Sequence, residues 1–452
     1  MPLDMSSPLP LVSHSAPDSI VAWHKNMPIT RQQFLNDVNQ LAAQLLPGRH
    51  MLNVCSDRYH FSVGLAAAIT TGKVSLLPST YTADIASQLK AFAPDVFCLT
   101  DSDSCNMEMP LLHYPDLAIQ SASIKVPEIN HDQLIAIVFT SGSTGEPQPH
   151  HKLWGTLVQC VKMEAKRVGL LGNIAPTTIV GTVPPQHMYG FESTVLMPWQ
   201  SGHAFSSAHP FYPADICQAL SDTPEPRLLI STPVHLRALL DSELSIPEIS
   251  NILSATAPLS TELATEIETI CKAPLTEIYG CTETGQIATR RSTQTTEWHL
   301  FDDIKLSIKD DNIYANGGHI TTATKLNDKI EPVSDEYFLL HGRLTDMINI
   351  AGKRHSLASL NHLLTTIPGV IDGAFYMPEE CKVTHIARLA AFVVKDAGIN
   401  ATQILSKLRN QIDPVFLPRP LVFVDKLPRN STGKLPQAAL KELYIKNYKA
   451  EE

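Results

Sequence analysis

Short apolar runs alternate along this chain with longer stretches whose apolar residues recur at helical spacing, and that alternation narrows the fold most. Residues 31–46 carry a stripe of Phe34, Leu35, Val38, Leu41, Ala42 and Leu45, which predicts a helix. Residues 51–55 and Val74–Leu77 predict strands around a helix at 61–70, and a helix at 84–92 precedes a strand at 96–99. The rhythm continues through strands at 178–183, 228–231 and 252–255. Runs that are apolar throughout suit strands covered on both faces, so the expected class is α/β with mainly parallel sheets. Between Glu297 and Leu340 the texture changes to short strands at 304–308, 313–315 and 337–340, a small β subdomain. From Arg343 onward a helix at Leu357–Thr365, strand at 387–394, helix at 401–412, strand at 421–424 and helix at Gln437–Tyr448 predict an α+β module.

A chain of 452 residues exceeds one ordinary core and implies at least two domains. Its net charge of −10 lacks the basic field that nucleic acid attracts, so no nucleic-acid partner is expected. The charge is uneven: from Arg343 to the end there are 15 Lys and Arg against 10 Asp and Glu, a net of +5, while the remainder carries 20 against 35, a net of −15. A basic C-terminal part suits an anionic partner, with ordinary surface variation as the alternative. Eight cysteines are scattered without a CxxC pair or zinc spacing, which favours reduced thiols. No basic-then-apolar leader and no apolar run of bilayer length is present, so the expected location is cytoplasmic with no membrane span.

The chemistry-bearing segment with the clearest logic is IAIVFTSGSTGEP at 135–147. A buried strand runs into Thr140, Ser141, Gly142, Ser143, Thr144 and Gly145, whose glycines and hydroxyls can turn donors onto phosphate oxygens. On composition alone the alternative is a Ser/Gly-rich surface turn. It is not a Walker A loop, and neither is STGK at 431–434, because Pro428 stands where the first glycine is required. Three further segments follow in order: YGCTET at 279–284, HGRLTDMINIAGKR at 341–354 and LPRNSTGKL at 427–435.

Together these four segments resemble the motifs of the adenylate-forming superfamily, which includes acyl- and aryl-CoA synthetases, peptide-synthetase adenylation domains and luciferases. The resemblance implies an ATP- and acid-binding N-terminal domain over 1–344 and a small mobile α+β C-terminal domain over 345–452. It implies ATP and Mg²⁺ as cofactors, a small-molecule carboxylic acid as substrate, and CoA or a phosphopantetheine thiol as acceptor. Lys434 is then the catalytic cation that bridges carboxylate and phosphate, a role suited to a mobile point charge. Glu283 is the expected Mg²⁺ ligand, one carboxylate being enough beside phosphate oxygens. Thr282 is expected on the α-phosphate, Tyr279 on the adenine face with Ala255 and Thr256 of the SATAP loop opposite, and Asp328 and Arg343 on the ribose. His187, in VPPQHMYGF at 183–191, is expected to position the acid. The acid-pocket candidates are His187, Tyr189, Phe191, Ser231, Thr232, Thr256 and Cys281. Thr345 is the expected hinge and Gly352 the residue that lets the thiol arm pass.

The chain departs from the family where a loop lysine is usual: Gln148 follows Pro147, with His150, His151 and Lys152 beyond it. Either Lys152 compensates or the loop binds ATP more weakly. The segment between Glu283 and Asp328 is compressed. The compact chain and the stretch STPVHLR at 231–237 look most like the small stand-alone ligases of bacterial aryl-polyene and xanthomonadin-type pigment clusters, which implies a small aryl acid such as a hydroxybenzoate and an acyl carrier protein as partner. A medium-chain fatty acid is the alternative substrate. An enzyme that stops at acyl-AMP and a non-catalytic nucleotide-binding protein are the rival classes.

Overall fold

The computed structural model describes residues 7–78, 80–120, 123–141, 147–172, 175–310, 312–343, 347–350, 353–378, 388–430 and 435–448, with 83, 141, 147, 343, 347, 349, 353–355 and 448 in backbone only. The chain divides into two compact units: Met1–Ala255, Thr261–Ser307 and Tyr314–Thr324 form the first, and Thr256–Ser260, Ile308–Ile313 and Lys325–Glu452 the second.

The first unit holds two sheets. One runs in the order Pro147–Leu153, Leu134–Ser141, Val74–Leu77, His50–Asn53, Phe97–Thr100, Leu111–His113, and all its pairings are parallel except the first. The other has Asn251–Ser254, Arg227–Ser231, Thr178–Gly181 and Ala204–Ser206 as parallel neighbours, with antiparallel hairpins Leu275–Cys281/Gly285–Arg290 and Ile20–His24/Met27–Thr30 further out. These parallel strands are apolar throughout because both faces are covered, as at Val74, Leu76 and Leu77. The helix Ala83–Phe92 sets Leu89 against Leu52, Val74, Leu76 and Ile137.

Helix starts follow capping chemistry. Thr30 accepts from the Gln33 amide ahead of Arg31–Ala42, and Asp57 accepts from Tyr59 and His60 ahead of Arg58–Thr70. The latter starts earlier than the apolar pattern indicates. Arg58 reads as a surface residue but is fully buried, its guanidinium donating to the Thr194 hydroxyl and to the Gly181 and Val183 carbonyls. Arg31–Ala42 ends short of 46, where Pro47 disfavours helical backbone in the residue before it. Lys305–Lys309, Asn312–Gly317 and Ile320–Lys325 form a three-stranded sheet of their own.

In the second unit Val370–Tyr376, Ala390–Lys395 and Leu421–Phe423 make a three-stranded sheet with helices on both faces. The side chains alternate with period two: Phe375, Ala391 and Val393 meet Leu360, Leu364, Ile404 and Leu408, while Ala374, Tyr376, Ala390 and Phe392 meet Leu440. Val370–Tyr376 escapes the sequence reading because Asp372 and Gly373 interrupt its apolar run, and Asp372 is held by Arg429 at 2.7 Å. Among the described residues no helix is long and apolar enough to cross a membrane.

Candidate active site

The site is built from two hairpins of the first unit. In one, Leu134–Ser141 pairs with Pro147–Leu153, so that Gln148 faces Thr140 and Lys152 faces Ala136. Ile135–Phe139 is buried, and polarity begins at Thr140, whose hydroxyl meets Nε2 of His150 at 2.9 Å. Ser141 is described in backbone only, and Gly142, Ser143, Thr144 and Gly145 lie outside the described residues. Gln148, His150 and Lys152 alternate onto one face of their strand. Lys152 is four residues from Gln148, roughly 13 Å along an extended strand. It is 7% exposed, and its ammonium donates to the carbonyl of Thr282. Burial pulls its pKa down, opposed by Glu192, Cys160, Cys281 and Glu283.

The second hairpin brings Cys281 opposite Gly285, with Thr282, Glu283 and Thr284 at its turn. Gly285 has φ +71°, and a Cβ there would stand 3.0 Å from Oε1 of Glu192 and 3.2 Å from Sγ of Cys160. Glu283 is exposed. Partial burial opposes its ionisation, but hydrogen bonds to its own backbone and to Cys281, with the charges of His150 and Lys152, hold its carboxyl below the usual range. An ionised, accessible carboxylate fits one hard divalent cation. The Cys281 thiol lies 3.2 Å from the Thr284 hydroxyl, and burial followed by Glu283 pushes its pKa up to about 11.

Behind this turn lies a cavity of about 150 Å³ whose walls include Lys152, Cys160, Glu192, Glu283, Thr284 and His319. Burial raises Glu192 to about 7 against the pull of Lys152, and raises Glu164, beside Ser193 and Gln286, to about 8. The Cys160 thiol donates to Glu192 at 3.3 Å. Glu192 and Ser193 belong to a π-helical segment, Phe191–Leu196, between Met188–Gly190 and Met197–Ser201. Nε2 of His319 lies 3.0 Å from the Thr284 carbonyl, and burial lowers the imidazole to about 4. A neutral ring facing a carbonyl must carry its proton on Nε2, which leaves Nδ1 as an acceptor.

The remaining candidates divide by burial. His187 is half-buried at the start of Met188–Gly190. Tyr189 donates to the Leu253 carbonyl at 2.9 Å, and Phe191 is fully buried. Ser231 and Thr232 are also buried: Ser231 meets Thr182 at 3.1 Å, while Thr232 caps Pro233–Asp241 and meets Nδ1 of His235 at 3.2 Å. Ala255 follows the strand Asn251–Ser254 and is half-buried. Thr256 has φ +79°, a strained conformation for a β-branched residue. Tyr279 is half-buried with its ring 5.6 Å from that of Trp298. In the second unit, Asp328 and Arg343 are direct cross-strand partners. Lys434, Thr345 and Gly352 lie outside the described residues.

Sequence reasoning did not single out Cys160, Glu164, Glu192 or His319. Glu192 had a signal, since it directly follows the VPPQHMYGF segment. The other three come from elements that only the fold brings to the turn.

A family model described as AMP-binding enzyme matches residues 14–314, and one described as AMP-binding enzyme C-terminal domain matches residues 361–434. A 4-coumarate–CoA ligase of Halorhodospira halophila is 29% identical over 310 residues, spanning 66% of this chain and 73% of that protein. A 3-hydroxybenzoate–CoA ligase of Aromatoleum sp. (strain CIB) is 24% identical over 368 residues, spanning 68% of this chain and 65% of that protein. Among solved structures, o-succinylbenzoate CoA synthetase from Bacillus subtilis in complex with its acyl-adenylate intermediate aligns with TM-score 0.80 at 18% identity, covering 94% of this chain and 96% of that one. The anthranilate CoA ligase AuaEII with anthranoyl-AMP aligns with TM-score 0.79 at 14% identity, covering 98% and 99%. At these identities the structural likeness establishes the fold, in agreement with the expected α/β class.

Proposed function

The chain belongs to the AMP-binding enzyme family, which makes it an AMP-forming acid–thiol ligase, and from that premise we propose that it activates a small aryl acid and passes the acyl group to CoA or to the phosphopantetheine of an acyl carrier protein. The observation that carries this reading is the Thr282–Glu283 turn, held from within by Lys152 and keeping an exposed carboxylate below the usual range. Similarity to 4-coumarate–CoA and 3-hydroxybenzoate–CoA ligases supports a small aryl acid over an alkyl chain.

In this reading the acid's carboxylate attacks the α-phosphorus of ATP, the bond to pyrophosphate breaks, and acyl-AMP forms. Lys434 bridges the carboxylate and phosphate oxygens, Thr282 contacts the α-phosphate, and Asp328 with Arg343 holds the ribose. Glu283 would hold Mg²⁺, which supplies charge neutralisation to the phosphates when bound. The thiolate then displaces AMP. One lysine cannot occupy the site while a thiol enters, so the domain over 345–452 turns about Thr345 and brings Gly352 to the thiol path.

The test is acid-dependent exchange of labelled pyrophosphate into ATP across aryl and fatty acids, wild type beside Lys434→Ala, followed by thioester formation with CoA and with a holo carrier protein. Exchange with an aryl acid that Lys434→Ala abolishes supports the reading, provided the variant still thiolyses supplied acyl-AMP. Exchange confined to fatty acids overturns the substrate class. Silence with ATP binding intact overturns the activity.

A further inference from the structure

A second set of ligand-type groups lies on elements that the adenylation chemistry does not use. His24 ends the strand Ile20–His24, Asp57 caps the helix Arg58–Thr70, and His60 stands in that helix's first turn. One ligand atom from each of the three lies within 4.8 Å of the others. We propose that His24, Asp57 and His60 bind one divalent transition-metal ion, for which Zn²⁺ is the best chemical match.

Two imidazoles with one carboxylate form a ligand set suited to borderline ions rather than to Mg²⁺ or Ca²⁺. Ligand atoms around tetrahedral zinc stand roughly 3.3 Å apart, so the three groups close onto an ion by side-chain rotation alone. Nε2 of His24 is already 3.3 Å from Oδ2 of Asp57, close to the separation of two ligand atoms on one ion. Asp57 spends Oδ1 on the amides of Tyr59 and His60, at 2.8 and 3.1 Å, which leaves Oδ2 for the imidazole side.

His60 has the outer support typical of a metal-bound histidine. Its Nδ1 meets Oδ2 of Asp101 at 3.1 Å, and its ring stacks on Tyr114 with centroids 4.0 Å apart. Asp101 is fixed in place by the Ser56 amide and hydroxyl, which donate to its Oδ1 at 2.8 and 3.1 Å, and by the Asp57 amide, which donates to its Oδ2 at 2.9 Å. An anion at Nδ1 draws the ring proton to that nitrogen and leaves the Nε2 lone pair for a ligand.

His24 and His60 both open onto a cavity of about 430 Å³, which gives room for water to complete the coordination. The same walls carry Asp101, Asp103 and Asp116 against Lys25, a balance that attracts a cation.

The full-length protein, stripped with chelator, is titrated with Co²⁺ by visible absorption and with Zn²⁺ by equilibrium dialysis. Wild type is compared with a His24→Gln, His60→Gln double variant and with Asp57→Asn, which keeps the capping acceptor. We expect wild type to bind one more equivalent than the double variant, Asp57→Asn to bind that equivalent at least about tenfold more weakly, and Zn²⁺ to raise the Tm of wild type only. Equal stoichiometry and affinity in wild type and the double variant overturn the proposal, and so does a wild type that binds no ion at tens of micromolar. In either case the cluster is a hydrogen-bonded joint between the Ile20–His24 hairpin and the helix. Far-UV circular dichroism of the metal-free variants confirms that they fold, and the Asp57→Asn arm decides the matter if the double variant does not.

Discussion

Lys152 stands between two carboxylates that lean in opposite directions. On the outer side Glu283 is exposed, hydrogen-bonded within its turn and held below the usual carboxylate range. On the inner side Glu192 is 1% exposed and raised to about 7, although the same ammonium pulls it down. One cation cannot account for both shifts. Burial decides: the accessible acid keeps its charge, while the enclosed one, with Glu164 near it, tends to keep its proton. The outer face is therefore equipped to hold a cation or phosphate chemistry, and the inner face is a largely neutral support.

The largest expected effect falls on the outer face. Glu283→Ala should lower acid-dependent exchange by about 10²–10³-fold with little change in unfolding midpoint. Glu192→Gln should do the reverse, changing exchange less than stability, and equal losses in the two variants would break the contrast. Lys152→Met removes the cation shared by both sides and leaves the Thr282 carbonyl without that donor. We expect a loss of about 2–3 kcal/mol in urea unfolding, limited because Glu192 can protonate. A loss of exchange without destabilisation would instead make Lys152 part of the reactive surface.

The pH dependence carries opposite signs on the two sides. Glu164 and Glu192 have raised folded pKa values, so their contribution is complete below the ordinary carboxylate pKa and is lost as pH rises through about 7 to 8. Thermal midpoints should therefore fall between about pH 6 and pH 9, and Glu164→Gln should flatten that fall. Glu283 is shifted down, so its contribution is present above the ordinary value and is lost as pH falls through its folded pKa. Glu283→Gln should flatten the acid limb only. The smallest effect is expected at Thr256, whose left-handed backbone costs about 1–2 kcal/mol, so Thr256→Gly should gain about 0.5 kcal/mol once the freer unfolded chain is counted. A loss of stability there would show that the threonine side chain supports its loop.

Local pattern carried the reading furthest where an element answers to its own neighbours. Val74–Leu77, Leu357–Thr365 and Gln437–Tyr448 occur as the apolar spacing indicates. It is silent where a distant partner decides a residue's surroundings. Arg58 looks like a surface cation but ends buried among the Gly181 and Val183 carbonyls. Ser231 and Thr232 are pocket candidates by residue type, and the fold adds that their hydroxyls meet Thr182 and His235. Lys152 looks like a spare loop charge, and it is the fold that buries it and brings its ammonium to the Thr282 carbonyl.

By itself the sequence determined the α/β class, the order of the motifs and the chemistry they resemble, because periodicity, glycine placement and the spacing of reactive residues act over a few neighbours at a time. Only the tertiary structure decided which carboxylate by Lys152 keeps its charge, which nitrogen of His319 holds the proton, and that His24 comes to lie beside Asp57 and His60. Those outcomes depend on desolvation and on contacts between residues far apart in the chain, and no local pattern encodes either.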